Sequence, residues 1–303
     1  MKNPILLWAF ALTLLAPAAQ ADETPETILI RQSLDNDKLG RRRGDVELIL
    51  SAFTDQVVVY DAHHSPDPRA WSVVCEDLPE FTATVKADLE AHRYDIERSV
   101  PFIHVRAGKA MVTTIDSGQV VDRRTGASQY ARIQGFWTFI KQEDKWLVTA
   151  FVHDLGDTIT TIPGTGTIDP DVSTLLQQEE EGWEKGSAGA IAGLFDPEFI
   201  GYDGYNQLLP AQWKIIFSNA AELEIWLKKR LEHTRYTIDR QVVYTRLSNK
   251  GRQALALTRE KVSTAYKSGS ATHSLERYVL WTLSRQGGSW KITNMLYDLG
   301  LPD

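Results

Sequence analysis

Two arginines, Arg98 and Arg240, are the residues of this sequence best suited to polar chemistry inside a protein core. Each stands among apolar residues that alternate along a candidate strand, so its side chain shares one face with them. A buried guanidinium needs a carboxylate partner, because an unpaired charge in a core is costly. We therefore expect Arg98 to pair with Asp61 and Arg240 with Asp203. Either pair could be a structural bridge or the polar end of a pocket that binds an anionic ligand.

Tryptophans recur at matching places in the two parts of the chain: Trp71 with Trp213, Trp137 with Trp281, and Trp146 with Trp290. Core packing is the simpler interpretation of a repeated tryptophan, because large aromatic side chains dominate core energetics. Trp137 and Trp281 fall in the middle of candidate strands, where they could also face a cavity and stack on a ligand. Trp146 and Trp290 follow tight turns and are interpreted as packing residues.

Histidine and cysteine offer little further chemistry. The seven histidines are not spaced like the three or four convergent ligands of a metal site. The one cysteine, Cys75, cannot form an intrachain disulfide and is interpreted as a small inert residue. No glycine-rich phosphate loop or dinucleotide-binding motif occurs. We therefore expect neither a metal nor any other cofactor.

The recurring residues reflect a duplication of the chain. The segment FTDQVVVYDAHHSPDPRAW (Phe53–Trp71) matches FDPEFIGYDGYNQLLPAQW (Phe195–Trp213) at an offset of 142 residues, which becomes 144 after a length change near Gly108. Matching of this extent is typical of two copies of one domain. Thr, Gly and Pro are concentrated between the copies. The sequence therefore predicts a first domain at 24–160, a linker at 161–170 and a second domain at 171–303.

Each half begins with helices and ends with strands. In the first half the pattern predicts helices at Pro25–Arg43, Val46–Phe53 and Glu80–His92, with a short strand, Val57–Tyr60, between the last two. Four longer strands follow, at Tyr94–Arg106, Ala110–Ile115, Tyr130–Lys141 and Trp146–His153. The second half repeats this order from Asp171. Such an order is typical of an α+β fold with helices on one face of an antiparallel sheet.

The N-terminus has the features of an export signal. Lys2 precedes an apolar run, Ile5–Leu15, and the small residues of Ala19-Gln20-Ala21 form a cleavage site. The run is too short for a permanent membrane span. We expect residues 1–21 to be a signal peptide cleaved after Ala21, and the protein to be periplasmic or secreted by a bacterium. The net charge of −7 excludes non-specific nucleic-acid binding, which needs a cationic surface.

With these elements in place, the sequence resembles the NTF2-like superfamily, in its SnoaL-like and ketosteroid-isomerase-like branch of domains of unknown function. The resemblance rests on a helix, Gly44-Asp45, a second helix, a strand that ends in Tyr60-Asp61, and a closing Gly-Ser-Trp-Lys-Ile at 288–292. It implies two tandem cone-shaped domains, each a curved antiparallel sheet wrapped on N-terminal helices around an open, mostly apolar pocket.

The resemblance also bears on Asp61 and Asp203. Ketosteroid-isomerase-like proteins carry a carboxylate general base at the end of the first strand, and these aspartates occupy that place. The Tyr and the protonated Asp that assist such a base have no counterpart here, since the upstream acids Asp37 and Glu179 do not match them. Alternatively, each Asp caps the turn after its strand. We therefore assign no catalytic residue and keep Asp61 and Asp203 as candidates.

Three functions are compatible with the sequence. The first is an exported, non-catalytic protein whose cone pockets bind a small apolar or anionic molecule. The second is an isomerase-, cyclase- or hydratase-type enzyme with Asp61 or Asp203 as its base, and the third is a protein-interaction module of the envelope. Because fused halves can supply both partners of a dimer, we expect a monomer that forms an intrachain pseudo-dimer. The predicted pocket residues are Tyr60, Trp71, Arg98, Trp137, His153, Tyr202, Trp213, Arg240, Trp281 and Tyr297.

Overall fold

The computed structural model describes residues 24–156, 168–269 and 272–301. The predicted signal peptide at 1–21 and most of the predicted linker at 161–170 lie outside the described residues, so the domain boundaries stay predictions. Within the described ranges, no helix has both the length and the apolar character needed to cross a membrane.

The first half has two helices before its first strand and a third helix between its second and third strands. The helices are α1 (Pro25–Arg43), α2 (Val46–Leu50) and α3 (Leu78–Ala91). The strands are β1 (Phe53–Asp61), β2 (Ser72–Cys75), β3 (His92–Arg106), β4 (Lys109–Asp122), β5 (Ser128–Gln142) and β6 (Lys145–Leu155). A short 3-10 turn at Pro68–Ala70 leads into β2.

The second half repeats this order element by element. Its helices are α4 (Pro170–Lys185), α5 (Ala188–Ala192) and α6 (Ala220–His233). Its strands are β7 (Phe195–Gln207), β8 (Lys214–Phe217), β9 (Thr234–Leu247), β10 (Gln253–Tyr266), β11 (Thr272–Gln286) and β12 (Ser289–Leu299). A 3-10 turn at Pro210–Gln212 corresponds to the turn of the first half.

The long first helices begin and end at ordinary sequence signals. The side chain of Asp169 accepts a hydrogen bond from the N–H of Val172 and caps α4. Gly44 after α1 and Gly186 after α4 adopt the left-handed conformation, with φ of 71° and 65°, which glycine adopts without strain. The predicted extension of α2 to Phe53 is wrong, because Phe53 begins β1 and packs into the core there.

The two sheets have the same topology. Their strand orders are β2-β1-β6-β5-β4-β3 and β8-β7-β12-β11-β10-β9. Neighbouring strands are antiparallel except that β1 runs parallel to β6, and β7 to β12, so each sheet is mixed. The sequence pattern does not reveal this one parallel pairing, nor the short strands β2 and β8. The prediction of two tandem α+β domains is confirmed.

Each half encloses a core between its helices and one face of its sheet, which we call its cone core. The first cone core includes Ile30, Leu34, Phe53, Phe81, Trp137 and Phe139. The second includes Leu176, Trp183, Phe199, Leu223, Leu227 and Trp281. Alternation along β1 directs Val57 and Val59 into the cone core, and Val58 and Tyr60 to the opposite face of the sheet.

The opposite faces of the two sheets pack against each other. This sheet–sheet interface is a third core, and residues of both halves contribute to it: Tyr60, Trp71, Met111 and Phe136 from the first, and Tyr202, Trp213, Leu255 and Leu257 from the second. The ring centroids of Phe136 and Trp213 lie 5.4 Å apart. The two halves are therefore arranged sheet to sheet within one chain.

Candidate functional site

Arg98 is enclosed in the first cone core, with its side chain only 2% exposed. Its Nε and Nη2 donate to the two carboxylate oxygens of Asp116, each at 2.6 Å. Nη2 also contacts Asp37 at 2.9 Å, and Nη1 donates to the carbonyl oxygen of Leu34 at 2.9 Å. The guanidinium lies over the ring of Trp137, 4.9 Å from its centroid. Each guanidinium nitrogen thus has a protein partner.

Arg240 has the same environment in the second cone core. Its Nε donates to Glu260 at 2.8 Å and its Nη2 to Glu179 at 2.6 Å. The guanidinium lies 5.0 Å from the ring centroid of Trp281. Glu179 and Glu260 are themselves buried. The charged groups therefore meet inside the cone, where an open pocket was expected.

The prediction that these arginines pair with Asp61 and Asp203 is wrong. Each arginine lies on the third strand of its sheet and meets an acid from the first helix and an acid from the neighbouring strand. Asp61 ends β1, where its Oδ1 accepts the N–H of His63 at 2.8 Å. Asp203 accepts the N–H of Tyr205 in the same way, at 2.9 Å. Both aspartates therefore cap turns.

A second guanidinium joins the cluster in each cone core, but it comes from a different element in each half. In the first half, Arg41 of α1 contacts Asp37 at 3.1 Å. In the second half, Arg277 of β11 contacts Glu260 at 3.0 Å. Trp183 takes the place that corresponds to Arg41. The cluster of the second half thus pairs two carboxylates with two guanidiniums, whereas in the first half Arg41 also contacts Asp88 at 3.7 Å. Each buried charge therefore has an opposite charge beside it.

One carboxylate in each cluster, Asp37 or Glu260, has a lowered pKa. Burial opposes the carboxylate of Asp37, but the nearby guanidiniums of Arg41 and Arg98 outweigh it and lower its pKa. For Glu260, burial is likewise outweighed by Arg240 and Arg277, and its pKa is lowered. A carboxylate with a lowered pKa and saturated hydrogen bonds is a poor general base near neutral pH.

The tryptophans of the cones are packed rather than free to stack on a ligand. Trp137 is 1% exposed, and its ring is stacked on Phe151 with 3.8 Å between centroids. Its Nε1 donates to the hydroxyl of Thr114 at 2.8 Å. Trp281 is fully buried, and its Nε1 donates to Thr258 at 2.9 Å. Both rings fill space that a cone ligand would need.

The remaining predicted cone residues lie at the end of the sixth strand of each sheet. Burial lowers the pKa of His153, although Asp61 and Asp154 act in the opposite direction. Tyr297 lies under the guanidinium of Arg277, 4.4 Å from it, and burial raises its pKa. Among the described residues, no group of three His, Cys, Asp or Glu side chains could hold a metal ion.

The other four predicted pocket residues face the sheet–sheet interface instead of a cone. The hydroxyl of Tyr202 lies 3.2 Å from that of Thr138 in the other half. Tyr60 makes the corresponding hydrogen bond to Thr282, and burial raises its pKa. The ring nitrogens of Trp71 and Trp213 donate to backbone carbonyls within their own halves. These four side chains join the two halves. The predicted pocket residues are therefore divided between the cones and the sheet–sheet interface.

A large cleft opens between the two halves, beside this interface. Its volume is about 980 Å³, and we call it the junction cleft. Its floor, the buried and half-buried part of the lining, includes Val58, Tyr60 and Ala150 from the first half and Ile200, Thr293 and Asn294 from the second. Its rim, the charged part, consists of Asp55, Glu76, Asp77, Asp196, Glu198, Arg252 and Arg285. Clefts of this size are common ligand sites.

The cations at the rim are already paired with carboxylates. Arg252 donates to Asp77 at 2.6 Å and to Glu76 at 3.2 Å. Arg285 contacts Asp171, outside the cleft, at 2.9 Å. In contrast, the carboxylate of Asp55 is exposed and has no ion-pair or hydrogen-bond partner among the described residues.

Sequence reasoning missed both the acid partners of the arginines and the junction cleft. Asp116 and Glu260 recur at the offset of 144 on the strand next to the arginines, which is a signal that could have revealed them. The cleft has no comparable signal. It exists because two sheets dock, and docking geometry is not encoded in the local pattern of either half.

No protein-family model matches the chain, and no curated protein matches it. A ketosteroid isomerase-like protein from Erwinia carotovora atroseptica is 16% identical, with 43% of this chain and 96% of that one covered and a TM-score of 0.37. An NTF2-like protein of unknown function from Shewanella baltica is 14% identical, with 44% and 96% covered and a TM-score of 0.33.

A second NTF2-like protein of unknown function, from Shewanella oneidensis, is 16% identical, with 42% of this chain and 98% of that one covered and a TM-score of 0.33. These likenesses concern the fold alone, and each spans a little under half of this chain. The described elements make the chain two tandem α+β domains, each with three helices and a six-stranded mixed sheet.

Proposed function

We propose that this protein is an exported, non-catalytic binding protein of a bacterial envelope, whose ligand site is the junction cleft between its two NTF2-like domains. The observation that carries the proposal is the contrast between two kinds of interior. Both cone cores are filled by tryptophan and by arginine–carboxylate clusters. The space for a ligand lies instead between the halves, in a cleft of about 980 Å³.

A non-catalytic role is supported by the partners that the carboxylates already have. Asp61 and Asp203, the candidates for a general base, each accept a hydrogen bond from a backbone N–H of the following turn. The cone carboxylates are bound by two guanidiniums in each half. General-base catalysis needs a carboxylate within reach of a substrate in an open site. The cone carboxylates do not meet that condition, and neither Asp61 nor Asp203 lines the junction cleft. The export part of the proposal rests on the predicted signal peptide at 1–21.

The proposal is tested by blocking the cleft and looking for a lost ligand. Ala150 lies in the floor of the cleft. A tryptophan ring at this position would fill the cleft without touching either cone cluster. We expect native mass spectrometry of the protein isolated from its own cells to show a bound small molecule in the wild type and none in Ala150→Trp.

A matched control is Ala87→Trp, which places the same ring on the exposed face of α3. This variant should retain the bound molecule. Equal loading of Ala150→Trp and the wild type would place the ligand outside the cleft and contradict the proposal. A wild type without any bound molecule, and without response in a thermal-shift screen of metabolites, would favour the interaction-module alternative.

A further inference from the structure

We infer that the junction cleft binds an aliphatic polyamine-type ligand, a flexible hydrocarbon chain with an ammonium group at each end. The inference rests on the proposed function, because it names the chemistry of the ligand that the same cleft would hold. Three properties of the cleft lead to it: the sign of its charge, the placement of its free acceptors and the apolar character of its floor.

The rim is negatively charged. Five carboxylates and two guanidiniums line the cleft. Both guanidiniums are engaged by carboxylates, as is the buried ammonium of Lys109, which donates to Glu198 at 2.6 Å. An anionic ligand would therefore meet like charge and find no uncommitted cation along the described lining. Complementary charge favours a cation.

The acceptors that remain lie on both halves. On the first half, the carboxylate of Asp55 has no partner among the described residues. On the second, Glu198 is 75% exposed beyond its contact with Lys109, so much of its carboxylate is open to the cleft. An ionised carboxylate has about four lone-pair sites, of which a single contact uses one. A ligand with two cationic ends can satisfy an acid on each half at once.

The floor between these acids is largely apolar. Val58 and Ile200 stand at corresponding positions of the two halves and are buried, and Ala150 extends the same surface. Methylene groups gain from covering such a surface while the charged ends stay at the wet rim, as in a lysine side chain. The polar groups of Thr293 and Asn294 are bonded to Thr282, so they compete little for the ligand.

The test compares three ligands that share a five-carbon chain: cadaverine, pentanediol and glutarate. They carry two ammonium groups, two hydroxyls and two carboxylates, respectively. Isothermal titration of the full chain at low ionic strength should show cadaverine binding about tenfold more tightly than pentanediol, as expected for two exposed charge contacts. Glutarate should give no binding. Raising the salt concentration should weaken cadaverine binding, because the rim is exposed to solvent.

Two variants locate the binding. Asp55→Asn should weaken cadaverine about threefold, the effect of one exposed charge pair, and Ala150→Trp should abolish binding. Asp239→Asn, a matched change at an exposed position of β9 outside the cleft, should have no effect. Because Asp55 is exposed, its amide variant keeps the test valid even if the larger ring at position 150 disturbs folding.

The outcomes separate the two claims. Equal binding of pentanediol and cadaverine, abolished by Ala150→Trp, would overturn the cationic class but leave the cleft as a ligand site. Cadaverine binding that neither variant changes would overturn the class and the site together. Absence of cadaverine binding would overturn the inference. Binding of a lysine-rich peptide in its place would show that the rim recognises a macromolecule.

Discussion

Arg98 and Asp116 lie on neighbouring strands of the first sheet and are joined by two hydrogen bonds of 2.6 Å each inside the cone core. Arg240 makes the equivalent contact to Glu260 in the second half. In both halves the guanidinium contacts two carboxylates and lies over a tryptophan ring. The interiors of the cones therefore contribute to stability, which supports the proposal that a ligand would bind at the junction cleft.

Arg98→Met should destabilise the first half strongly. The substitution roughly keeps the volume of the side chain, but it leaves the buried Asp37 with Arg41 alone and removes the guanidinium that Asp116 contacts. Removing one partner of a buried ion pair costs about 3–5 kcal/mol in the free energy of unfolding. Urea unfolding followed by tryptophan fluorescence measures the loss. Arg93→Met, on the exposed side of the same strand, is the control and should change stability little. Equal stability of Arg98→Met and the wild type would show that the cluster is not structural.

The interface should make stability depend on pH through His104. Its Nε2 is buried without a hydrogen-bond partner among the described residues, and burial, followed by Lys214 and Arg106, lowers its pKa. The unfolded chain therefore takes up a proton at a higher pH than the folded one. Stability from this residue is complete above the unfolded value of about 6.5 and falls as the pH drops from there towards the folded pKa.

The variant His104→Gln removes this dependence. The thermal midpoint of the wild type should fall more between neutral and mildly acidic pH than that of His104→Gln. His233→Gln, at an exposed position, should behave like the wild type. The result against this prediction is a His104→Gln midpoint that tracks the wild type at every pH. Arg246, which corresponds to His104 in the other half, donates to backbone carbonyls.

Trp213→Ala should uncouple the two halves. Trp213 is buried in the sheet–sheet interface against Phe136, and truncating a buried tryptophan costs about 3–5 kcal/mol. Calorimetry of this variant should resolve separate unfolding transitions, whereas the wild type unfolds with the halves coupled. Tyr130→Ala, where the side chain is 63% exposed, is the control and should retain the wild-type profile. A Trp213→Ala profile with a single, unshifted transition would mean that the interface contributes little.

The intrachain pairing of the sheets predicts a monomer in solution. The faces that join the halves are covered within one chain, so they are not available for a second copy. Light scattering of the mature protein should give the mass of a single chain across a wide range of concentration. A dimer mass that persists on dilution would contradict this prediction.

Local signals in the sequence identified most of the fold. The bounds of α1 were predicted to the residue, because a cap, a proline at its start and a terminal glycine all mark them. The duplication predicted the second half from the first. The parallel pairing of β1 with β6 was not predictable, since hydrophobic alternation is the same in parallel and antiparallel strands with one covered face.

The candidate site was predicted less well, for two physical reasons. The alternation around Arg98 correctly indicated an inward side chain, but the partner acids are 61 and 18 residues away in the chain, on α1 and β4. Such pairings depend on tertiary geometry. Tyr60 and Trp71 were assigned to a cone pocket, although a shift of one residue along a strand moves a side chain to the other face. They belong to the interface.

Carboxyl footprinting tests the central claim, that the ligand lies in the junction cleft, most directly. Solvent-accessible acids are coupled to glycine ethyl ester in the presence and absence of the co-purified ligand, and the labelled positions are read by mass spectrometry. We predict that the ligand lowers labelling at Asp55 and Glu198 and leaves Asp61, Asp203 and the exposed control Asp239 unchanged. Protection of Asp61 or Asp203 with full labelling of Asp55 would place the ligand at a cone and contradict the claim.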